Sequence, residues 1–437
     1  MNDEVRHVHV EVNMKQESVV DYEQVRVAVA DYLGTTCAFF TKGSVALAEN
    51  SQLSAHLNRI DITEIDGKKS DDLNEEKVLR SNAHLFVHVF KLSDEAPAEE
   101  TADDDESVTT CQQTMLPAVA FDGLWDSLIF DSSVKKNVLD YAMTAMLFSD
   151  SKVNPHIISW NRVVLLHGPP GTGKTSLCKS LAQKLSIRLS SRYPNAILLE
   201  INAHSLFSKW FSESGKLVMK LFRQIQELVE DEDSFICVMI DEVESLTAAR
   251  KSAVSGSEPS DAIRVVNALL TQLDMLKRHS NVLILTTSNI TEAIDVAFVD
   301  RADIKQYIGL PSCHARFKIL RSCVEELGRV NILRPSMQPL FTYQEILRRR
   351  SMREWIVDEM TSPPGAENGS GDLELSIQLL QAAEMAEGFS GRALRKLPFQ
   401  AHAFFVQTHN PSVAEFIYYL IQTISRETKQ KQQLSMG

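Results

Sequence analysis

Short apolar runs alternate with helical patterns through the middle of the chain. Five runs, each bounded by polar or glycine residues, have the pattern of strands in a buried parallel sheet: RVVLLHG (162–168), AILLEIN (196–202), FICVMIDE (235–242), VLILTTSN (282–289) and IKQYIG (304–309). Such strands are apolar on both faces, so helices must cover the sheet on both sides. The pattern predicts an α/β domain with a parallel five-stranded sheet.

The regions on either side have different periods. Residues 1–93 combine two strand-like stretches with one of helical spacing, VVDYEQVRVAVADYL (19–33), and so predict a small N-terminal α/β domain. After the central region the apolar spacing becomes mostly helical, which predicts a helical subdomain over 312–437. The large α/β subdomain then spans 115–311.

An acidic run separates the first domain from the second. DEAPAEETADDDE (94–106) contains eight acids and no base. Such a run repels itself and cannot bury apolar surface, so residues 94–114 are predicted to form a disordered linker.

Four histidines lie in the strand-like stretches of the first domain: His7, His9, His84 and His88. Alternate positions on a strand share a face, so a metal site is one hypothesis. No cysteine or acidic partner completes a recognisable pattern of ligands, and we therefore expect exposed strand histidines instead.

Charge and cysteine content exclude some classes of function. The chain has 437 residues and a net charge of −13, which opposes broad binding to nucleic-acid phosphates, and its one basic cluster, LRRRSMR (347–353), is typical of a solvated helix face. No apolar run approaches the length of a membrane span, and the N-terminus lacks the apolar stretch of a signal peptide. The six cysteines show no CxxC pair and no zinc spacing. We expect reduced thiols, no membrane association and no direct nucleic-acid binding.

The segment GPPGTGKT fits the pattern G-x-x-x-x-G-K-[ST] in full, after an apolar strand and before a helical pattern. Glycines here let the backbone turn so that successive N–H groups point at phosphate oxygens, and the following helix adds its positive dipole end. Lys174 can then reach the β- and γ-phosphates of ATP, and Thr175 can ligate Mg²⁺. The predicted nucleotide-binding residues are Gly168, Pro169, Pro170, Gly171, Thr172, Gly173, Lys174 and Thr175.

Polar side chains end two other predicted strands. Asp241 and Glu242 end FICVMIDE, and Asn289 ends VLILTTSN. The carboxyl ends of parallel strands face the ligand crevice of an open α/β sheet. We expect Asp241 to hold Mg²⁺ together with Thr175, because carboxylate oxygens are ligands that this metal prefers. Glu242 is expected to polarise the attacking water, and Asn289 can position the same water.

Together these motifs resemble the AAA+ ATPases, the ring-forming branch of P-loop enzymes. The resemblance implies an AAA+ P-loop core, a helical lid over 312–437 and bound ATP and Mg²⁺. AFVDRADIK (297–305) is similar to the family's RxGRxD segment, which implies that Arg301 is an arginine finger acting on ATP of the neighbouring subunit, although the family pattern has two arginines here. GFSGRALRKL (388–397) is similar to the lid motif in which an arginine, here Arg392, touches the γ-phosphate of its own subunit. The alternative is a helix-capping serine followed by a surface arginine.

The polar stretch HSLFSKWFSESGK (204–216) contains two adjacent aromatic residues. It is similar to the AAA+ loop that projects into the central pore, with Lys209, Trp210 and Phe211 at its Lys-aromatic-hydrophobic positions and Ser212 in place of the usual glycine. The resemblance implies that the aromatic rings grip an extended polypeptide and move with the nucleotide state. The alternative is that they belong to a buried apolar stripe at helical spacing.

Longer strings, such as WNRVVLLHGPPGTGKTSLCKSLAQKLSIRLSSRY (160–193), are similar to one branch of this family. The resemblance implies a homo-hexamer that remodels HORMA-domain proteins, in some cases through a HORMA-like adaptor, in spindle checkpoint disassembly and on meiotic chromosome axes. It implies a location in the nucleus, on chromosomes and in the cytoplasm, and, by analogy, adenine near Leu128–Phe130. Two alternatives are a nucleotide-gated scaffold, which has no need of Glu242, and a DNA motor, which the net charge disfavours.

Overall fold

The structure is a computed structural model of the chain, and it describes residues 5–48, 51–66, 77–102, 105–131, 133–154, 156–203, 214–245, 261–290, 296–334, 340–349, 370–407 and 409–436. Contacts divide the chain into two compact units. The first unit comprises Met1–Trp125, Lys136–Leu166 and Thr175–Gln306. The second unit comprises Asp126–Lys135, His167–Lys174 and Tyr307–Gly437. The predicted domain boundaries differ from this division and stay a prediction.

The N-terminal region of the first unit is a small α/β fold. Its elements are β1 (Arg6–Met14), α1 (Tyr22–Thr36), β2 (Phe39–Phe40), β3 (Gly43–Val45), α2 (Gln52–His56), β4 (Leu57–Ile65), β5 (Val78–Leu79) and β6 (Ala83–Phe90). A four-stranded sheet has the order β3-β4-β1-β6, with β1 antiparallel to β4 and parallel to β6. Val8, Val10 and Val12 alternate along β1 and are buried in one cluster with Val25 and Val29 of α1. The period of two along the strand thus gives the sheet one apolar face, which the helix covers.

A seven-stranded sheet follows, in the order β13-β9-β12-β11-β10-β8-β7. The elements in this part of the chain are β7 (Ala98–Ala102), β8 (Asp105–Leu116), α3 (Leu124–Ser127), α4 (Val134–Asp150), β9 (Val163–His167), α5 (Lys174–Arg188), β10 (Asn195–Asn202), α6 (Ser214–Val229), β11 (Ser234–Asp241), α7 (Asp261–Leu276), β12 (Val282–Ser288), α8 (Val296–Val299) and β13 (Ile304–Tyr307). All five predicted strands are present as β9 to β13, and β11 is parallel to both β10 and β12. The α/β prediction is confirmed, but the sheet has seven strands instead of five, because β8 and β7 extend it by antiparallel pairing.

The predicted disordered linker is wrong for two segments. Strand β8 pairs antiparallel with β10, so that Leu116 lies opposite Ala196 and Cys111 opposite Ile201, and β7 pairs with β8. Among the acidic residues that suggested disorder, Glu99 and Glu100 lie in β7, and Asp105 and Glu106 lie at the start of β8. Most of β8, SVTTCQQTML, is instead rich in β-branched and uncharged polar residues, which suit a strand paired on both sides, here with β10 and β7.

The second unit is mostly helical beyond its short N-terminal segments. Its long helices are α9 (Cys313–Arg329), α10 (Ser370–Met385), α11 (Gly391–Ala401) and α12 (Val413–Met436), and residues 343–349 are also helical. Phe317, Leu379, Leu394 and Phe416, one from each long helix, are buried in a common cluster. This agrees with the helical subdomain predicted from the apolar spacing. In the described ranges of the whole chain, no helix combines the length and the apolar character needed to cross a membrane.

The second face of the N-terminal sheet contacts helix α5 within the first unit. The Lys184 ammonium pairs with the Glu11 carboxylate, and Arg188 Nη2 donates to Glu64 Oε2 at 2.8 Å. Glu11, Lys184 and Arg188 are buried. The helix that begins at the lysine of the predicted phosphate loop therefore ends in ion pairs with the N-terminal domain.

The strand histidines lie on this same face. His84 is exposed as expected, but the expectation is wrong for His9 and His88, which are half-buried and stack with their ring nitrogens 3.1 Å apart. Burial, helped by the charge of Arg188, lowers the pKa of His9 to about 4 and that of His88 to about 2. Among the described residues, no group of three or more His, Cys, Asp or Glu side chains could hold a metal ion.

Candidate active site

The loop between β9 and α5 has a backbone that requires glycine. Gly168, Gly171 and Gly173 have φ values of 141°, 76° and 96°. A Cβ atom at Gly168 would lie 2.2 Å from the carbonyl oxygen of Ile308, well inside van der Waals contact. Conformation and space therefore both exclude a side chain at this position. The loop ends at Lys174, the first residue of the 15-residue helix α5.

The side chain of Lys174 lies within this loop. Its Nζ donates to the carbonyl oxygens of Gly168 and Pro169, both at 2.8 Å, and Thr172 Oγ1 donates to the Pro169 carbonyl at 2.9 Å. Lys174 is 4% exposed. A buried ammonium is thus held where the helix dipole is also positive, and this combination suits the phosphates of a nucleotide.

The start of helix α11 lies against the same loop in the second unit. The backbone N–H of Arg392 donates to the carbonyl of Gly171 at 3.0 Å, and a Cβ atom at Gly171 would be 2.7 Å from Ser390 Oγ. Ser390 also caps α11 by accepting from the Ala393 N–H at 3.3 Å. The capping alternative is therefore correct for the serine, while Arg392 sits on the phosphate loop, where contact with the γ-phosphate stays a prediction.

Leu128 and Phe130, the residues expected near adenine, also pack on the loop. A Cβ atom at Gly173 would meet Phe130 Cζ at 3.5 Å and Leu128 Cδ2 at 3.6 Å. These apolar side chains are therefore close to the residue that precedes Lys174. Their contact with adenine stays a prediction.

In the first unit, Asp241 at the end of β11 is the acceptor of two threonine hydroxyls. Thr175 Oγ1 lies 3.1 and 3.2 Å from the two carboxylate oxygens, and Thr287 Oγ1 donates to Oδ1. The structure therefore brings together Thr175 and Asp241, the two residues predicted to hold the metal. Hard oxygen ligands of this kind fit Mg²⁺.

Glu242, the next residue, has a left-handed backbone with φ of 60°. Its N–H donates to Thr287 Oγ1 at 3.3 Å, and the N–H of Val243 donates to the Thr287 carbonyl at 3.0 Å. A glutamate in this region of φ and ψ is uncommon and is found at functional sites more often than elsewhere. The ends of β11 and β12 are thus tied together at the residue predicted to polarise water.

Asn289 lies just beyond β12, as predicted. Its backbone N–H donates to Glu244 Oε1 at 3.1 Å, which links the loop after β11 to the end of β12 a second time.

Sequence reasoning did not identify Thr287 or Glu244. The available signal was the threonine before Ser-Asn, since a hydroxyl at a buried strand end needs a polar partner.

Arg301 and the predicted pore loop complete the set of predicted residues. Arg301 lies against the last turn of α7 and pairs with Asp274 there. Lys209, Trp210 and Phe211 lie outside the described residues. The trans role of Arg301 and the pore-loop role stay predictions.

Several curated proteins match nearly the whole length of the chain. The pachytene checkpoint protein 2 homolog of Mus musculus is 48% identical over 429 residues, which are 98% of this chain and 95% of that protein. The Homo sapiens homolog has the same values, and the Oryza sativa subsp. indica homolog is 50% identical over 428 residues, 96% of this chain and 87% of that protein. The chain belongs to the pachytene checkpoint protein 2 family.

Family models and a solved structure agree with this membership. Residues 3–95 match the TRIP13 N-terminal domain, 164–310 the ATPase family associated with various cellular activities (AAA), and 312–428 the TRIP13-like AAA+ ATPase lid C-terminal domain. The chain is also similar to the structure of C. elegans PCH-2, with a TM-score of 0.73 and 35% identity. The match covers 97% of this chain and 99% of the PCH-2 chain. The predicted resemblance to the AAA+ ATPases is confirmed, and this member of the pachytene checkpoint protein 2 family is a nucleotide-binding ATPase.

Proposed function

We propose that this ATPase uses the hydrolysis of ATP, assisted by Asp241 and Glu242, to remodel HORMA-domain proteins. The observation that carries the hydrolytic part is the Thr175–Asp241 contact. Thr175 directly follows the lysine of the phosphate loop, and Glu242 directly follows Asp241 at the strand end. A nucleotide-gated scaffold has no need of this second carboxylate, so the arrangement favours an enzyme that turns ATP over.

Each residue has a distinct task in this proposal. Lys174 binds the β- and γ-phosphates, while Thr175 and Asp241 hold the metal through oxygen ligands. Mg²⁺, when bound, neutralises charge that develops on the phosphates. Glu242 accepts a proton from the attacking water, which Asn289 helps to position.

The remodelling part rests on membership of the family and on the resemblance of the sequence. We expect a homo-hexamer whose N-terminal domain engages a HORMA-domain protein, directly or through a HORMA-like adaptor. Lys209, Trp210 and Phe211 would then grip a segment of the substrate in the central pore and open its closed conformer. The proposed settings are spindle checkpoint disassembly and the meiotic chromosome axis, in the nucleus, on chromosomes and in the cytoplasm.

A Glu242→Gln variant tests both parts. It keeps a neutral acceptor of similar shape, so it should bind ATP, assemble and retain a purified HORMA-domain protein without turnover. Glu232→Gln is the matched control, because Glu232 is exposed just before the other end of β11. Normal phosphate release by Glu242→Gln would show that the catalytic assignment is wrong, and loss of hydrolysis without retention of the substrate would contradict the remodelling proposal.

The pore-loop role has a separate test. Trp210→Ala removes a large ring and should leave phosphate release unchanged while abolishing the opening of the HORMA-domain protein. Unchanged opening in this variant would refute the proposed grip.

A further inference from the structure

One buried hydroxyl at the end of β12 contacts both predicted acidic residues. Thr287 is 1% exposed. Its Oγ1 donates to Asp241 Oδ1 and accepts from the N–H of Glu242 at 3.3 Å. The hydroxyl thus donates its proton to Asp241 and accepts a hydrogen bond from Glu242, the next residue in the sequence.

These contacts limit the orientations open to Asp241. Thr175 and Thr287 approach the carboxylate from two different elements, α5 and β12. Both hydroxyls approach Oδ1, and Thr175 also lies 3.2 Å from Oδ2. A carboxylate fixed by two donors keeps its remaining lone pairs in fixed directions, where a hydrated metal can be bound.

Thr287 acts on Glu242 through the backbone. A left-handed conformation such as φ of 60° is unfavourable for a residue other than glycine unless its surroundings stabilise it. Thr287 holds it from both sides, because its hydroxyl accepts from the Glu242 N–H and its carbonyl accepts from the Val243 N–H at 3.0 Å. The direction of the Glu242 side chain follows from this backbone conformation.

We propose that Thr287 is a positioning residue for ATP hydrolysis: its single hydroxyl holds both the Asp241 carboxylate and the backbone of Glu242 in place. The side chain is buried and acts through its two neighbours. The inference rests on the roles proposed above for Asp241 and Glu242. It adds a residue that lies outside the phosphate loop and the acidic pair.

The strand provides its own control. Thr286, the preceding residue, is fully buried, and its Oγ1 donates to the Val164 carbonyl at 3.0 Å. Neighbouring residues of a strand point to opposite faces, so the Thr286 side chain lies on the face opposite that of Thr287. Its hydroxyl makes an ordinary contact with the neighbouring strand β9. Thr286→Val and Thr287→Val each remove one buried hydroxyl and preserve the shape of the side chain. The first variant loses the hydrogen bond to the Val164 carbonyl, and the second loses those with Asp241 and Glu242.

The experiment compares Thr287→Val, Thr287→Ser and Thr286→Val with the wild type in kcat, KM and the Mg²⁺ concentration that gives half of the thermal stabilisation by ADP. Thr287→Val should lower kcat by about 10²-fold with little change in KM, the effect of a small misplacement of catalytic groups. It should also raise the half-saturating Mg²⁺ concentration. Thr287→Ser should restore both values to within about threefold, and Thr286→Val should leave them unchanged, whatever its melting temperature.

Three results would overturn the proposal: an unchanged kcat in Thr287→Val, no rescue by serine, or the same loss in Thr286→Val. Glu242→Gln is measured in parallel. If that variant hydrolyses ATP normally, the proposed site is wrong, whereas an inactive Glu242→Gln beside an active Thr287→Val refutes only the role of Thr287. Should Thr287→Val fail to fold, Thr287→Ala is measured in its place, and a wild-type kcat there has the same meaning.

Discussion

The guanidinium of Arg301 forms two hydrogen bonds with the carboxylate of Asp274. Nε lies 2.9 Å from Oδ1 and Nη2 lies 2.7 Å from Oδ2, the paired geometry that arginine makes with carboxylates. Burial raises the pKa of Asp274, but the hydrogen bonds and charge of Arg301 outweigh burial. The pKa of Asp274 is therefore below its ordinary value. The predicted arginine finger is therefore oriented by a residue of its own chain.

We predict that Arg301→Ala binds nucleotide normally and loses hydrolysis by about 10³-fold, the effect of removing an arginine finger. Phosphate release and nucleotide titration measure the two quantities. Arg329→Ala is the matched control, because Arg329 makes the same two-bond contact with Glu326 but is exposed on α9. Equal losses in both variants would contradict a specific role for Arg301.

Mixed assemblies test whether Arg301 acts on a neighbouring subunit. Arg301→Ala and Glu242→Gln chains should each be inactive alone, but in co-expressed mixtures an intact site forms wherever the first chain receives Arg301 from the second. We predict that mixed assemblies regain part of the wild-type phosphate release. A mixed preparation in which both chains co-purify and no activity returns would contradict action between subunits.

A second prediction concerns the space at Gly168. Gly168→Ala places a methyl group on the Ile308 carbonyl and must displace the phosphate loop. We expect nucleotide affinity to fall at least tenfold, which corresponds to about 1.4 kcal/mol. Gly328→Ala in α9 has no atom within 4 Å of the added carbon and should leave the affinity unchanged. Titration with a fluorescent nucleotide measures both, and equal affinities would contradict the steric argument.

A third prediction concerns the contact between the N-terminal domain and α5. Glu11→Gln leaves the buried Lys184 ammonium without its counter-charge and should lower the free energy of unfolding by about 3 kcal/mol. The double variant Glu11→Leu, Lys184→Met should recover most of this loss, because burying no charge is less costly than burying one. Denaturant titration measures each variant.

The exposed pair Glu23–Arg26 serves as the control for this experiment. Glu23→Gln should change the free energy of unfolding by less than about 1 kcal/mol. A loss in Glu11→Gln no larger than in the control would mean that the Glu11–Lys184 contact does not stabilise the protein.

The stacked pair His9–His88 predicts a loss of stability in mild acid. Both folded pKa values, about 4 and about 2, lie below the ordinary value of 6.5, so the unfolded chain binds more protons between pH 6.5 and pH 4. The neutral pair makes its full contribution to the free energy of unfolding above pH 6.5. This contribution declines as the pH falls, by up to about 1.4 kcal/mol per pH unit for each histidine.

Denaturant titrations at pH 7, 6 and 5 measure this dependence. His88→Phe removes one of the two groups and should flatten the decline relative to the wild type. His84→Phe changes an exposed histidine of the same strand and should leave the decline as it is. Equal slopes in the wild type and His88→Phe would contradict a proton-linked role for the pair.

Features that depend on local pattern were predictable from the sequence. The strands β9 to β13 are continuous apolar runs, and the phosphate loop has glycines at fixed spacing before Lys174, so period and spacing identify them. Glu242 follows from its place at a strand end. Each of these predictions needs only residues within a short window.

Features that depend on distant contacts were not predictable. The contact of Glu11 with Lys184 joins residues far apart in the chain, and neither residue has a local signature. Thr287 resembles any β-branched strand residue until Asp241 is placed beside it. Strand β8 was missed because the acidic residues before it dominated the local composition, while its stability comes from pairing with β10.

The central claim is that hydrolysis at Glu242 drives the opening of a HORMA-domain protein, and the most direct measurement is the release of a fluorescent partner peptide from the closed protein. The wild-type ATPase should release the peptide in the presence of ATP, and Glu242→Gln should not. Release by Glu242→Gln at the wild-type rate, or none by a wild-type preparation that hydrolyses ATP, would contradict the account.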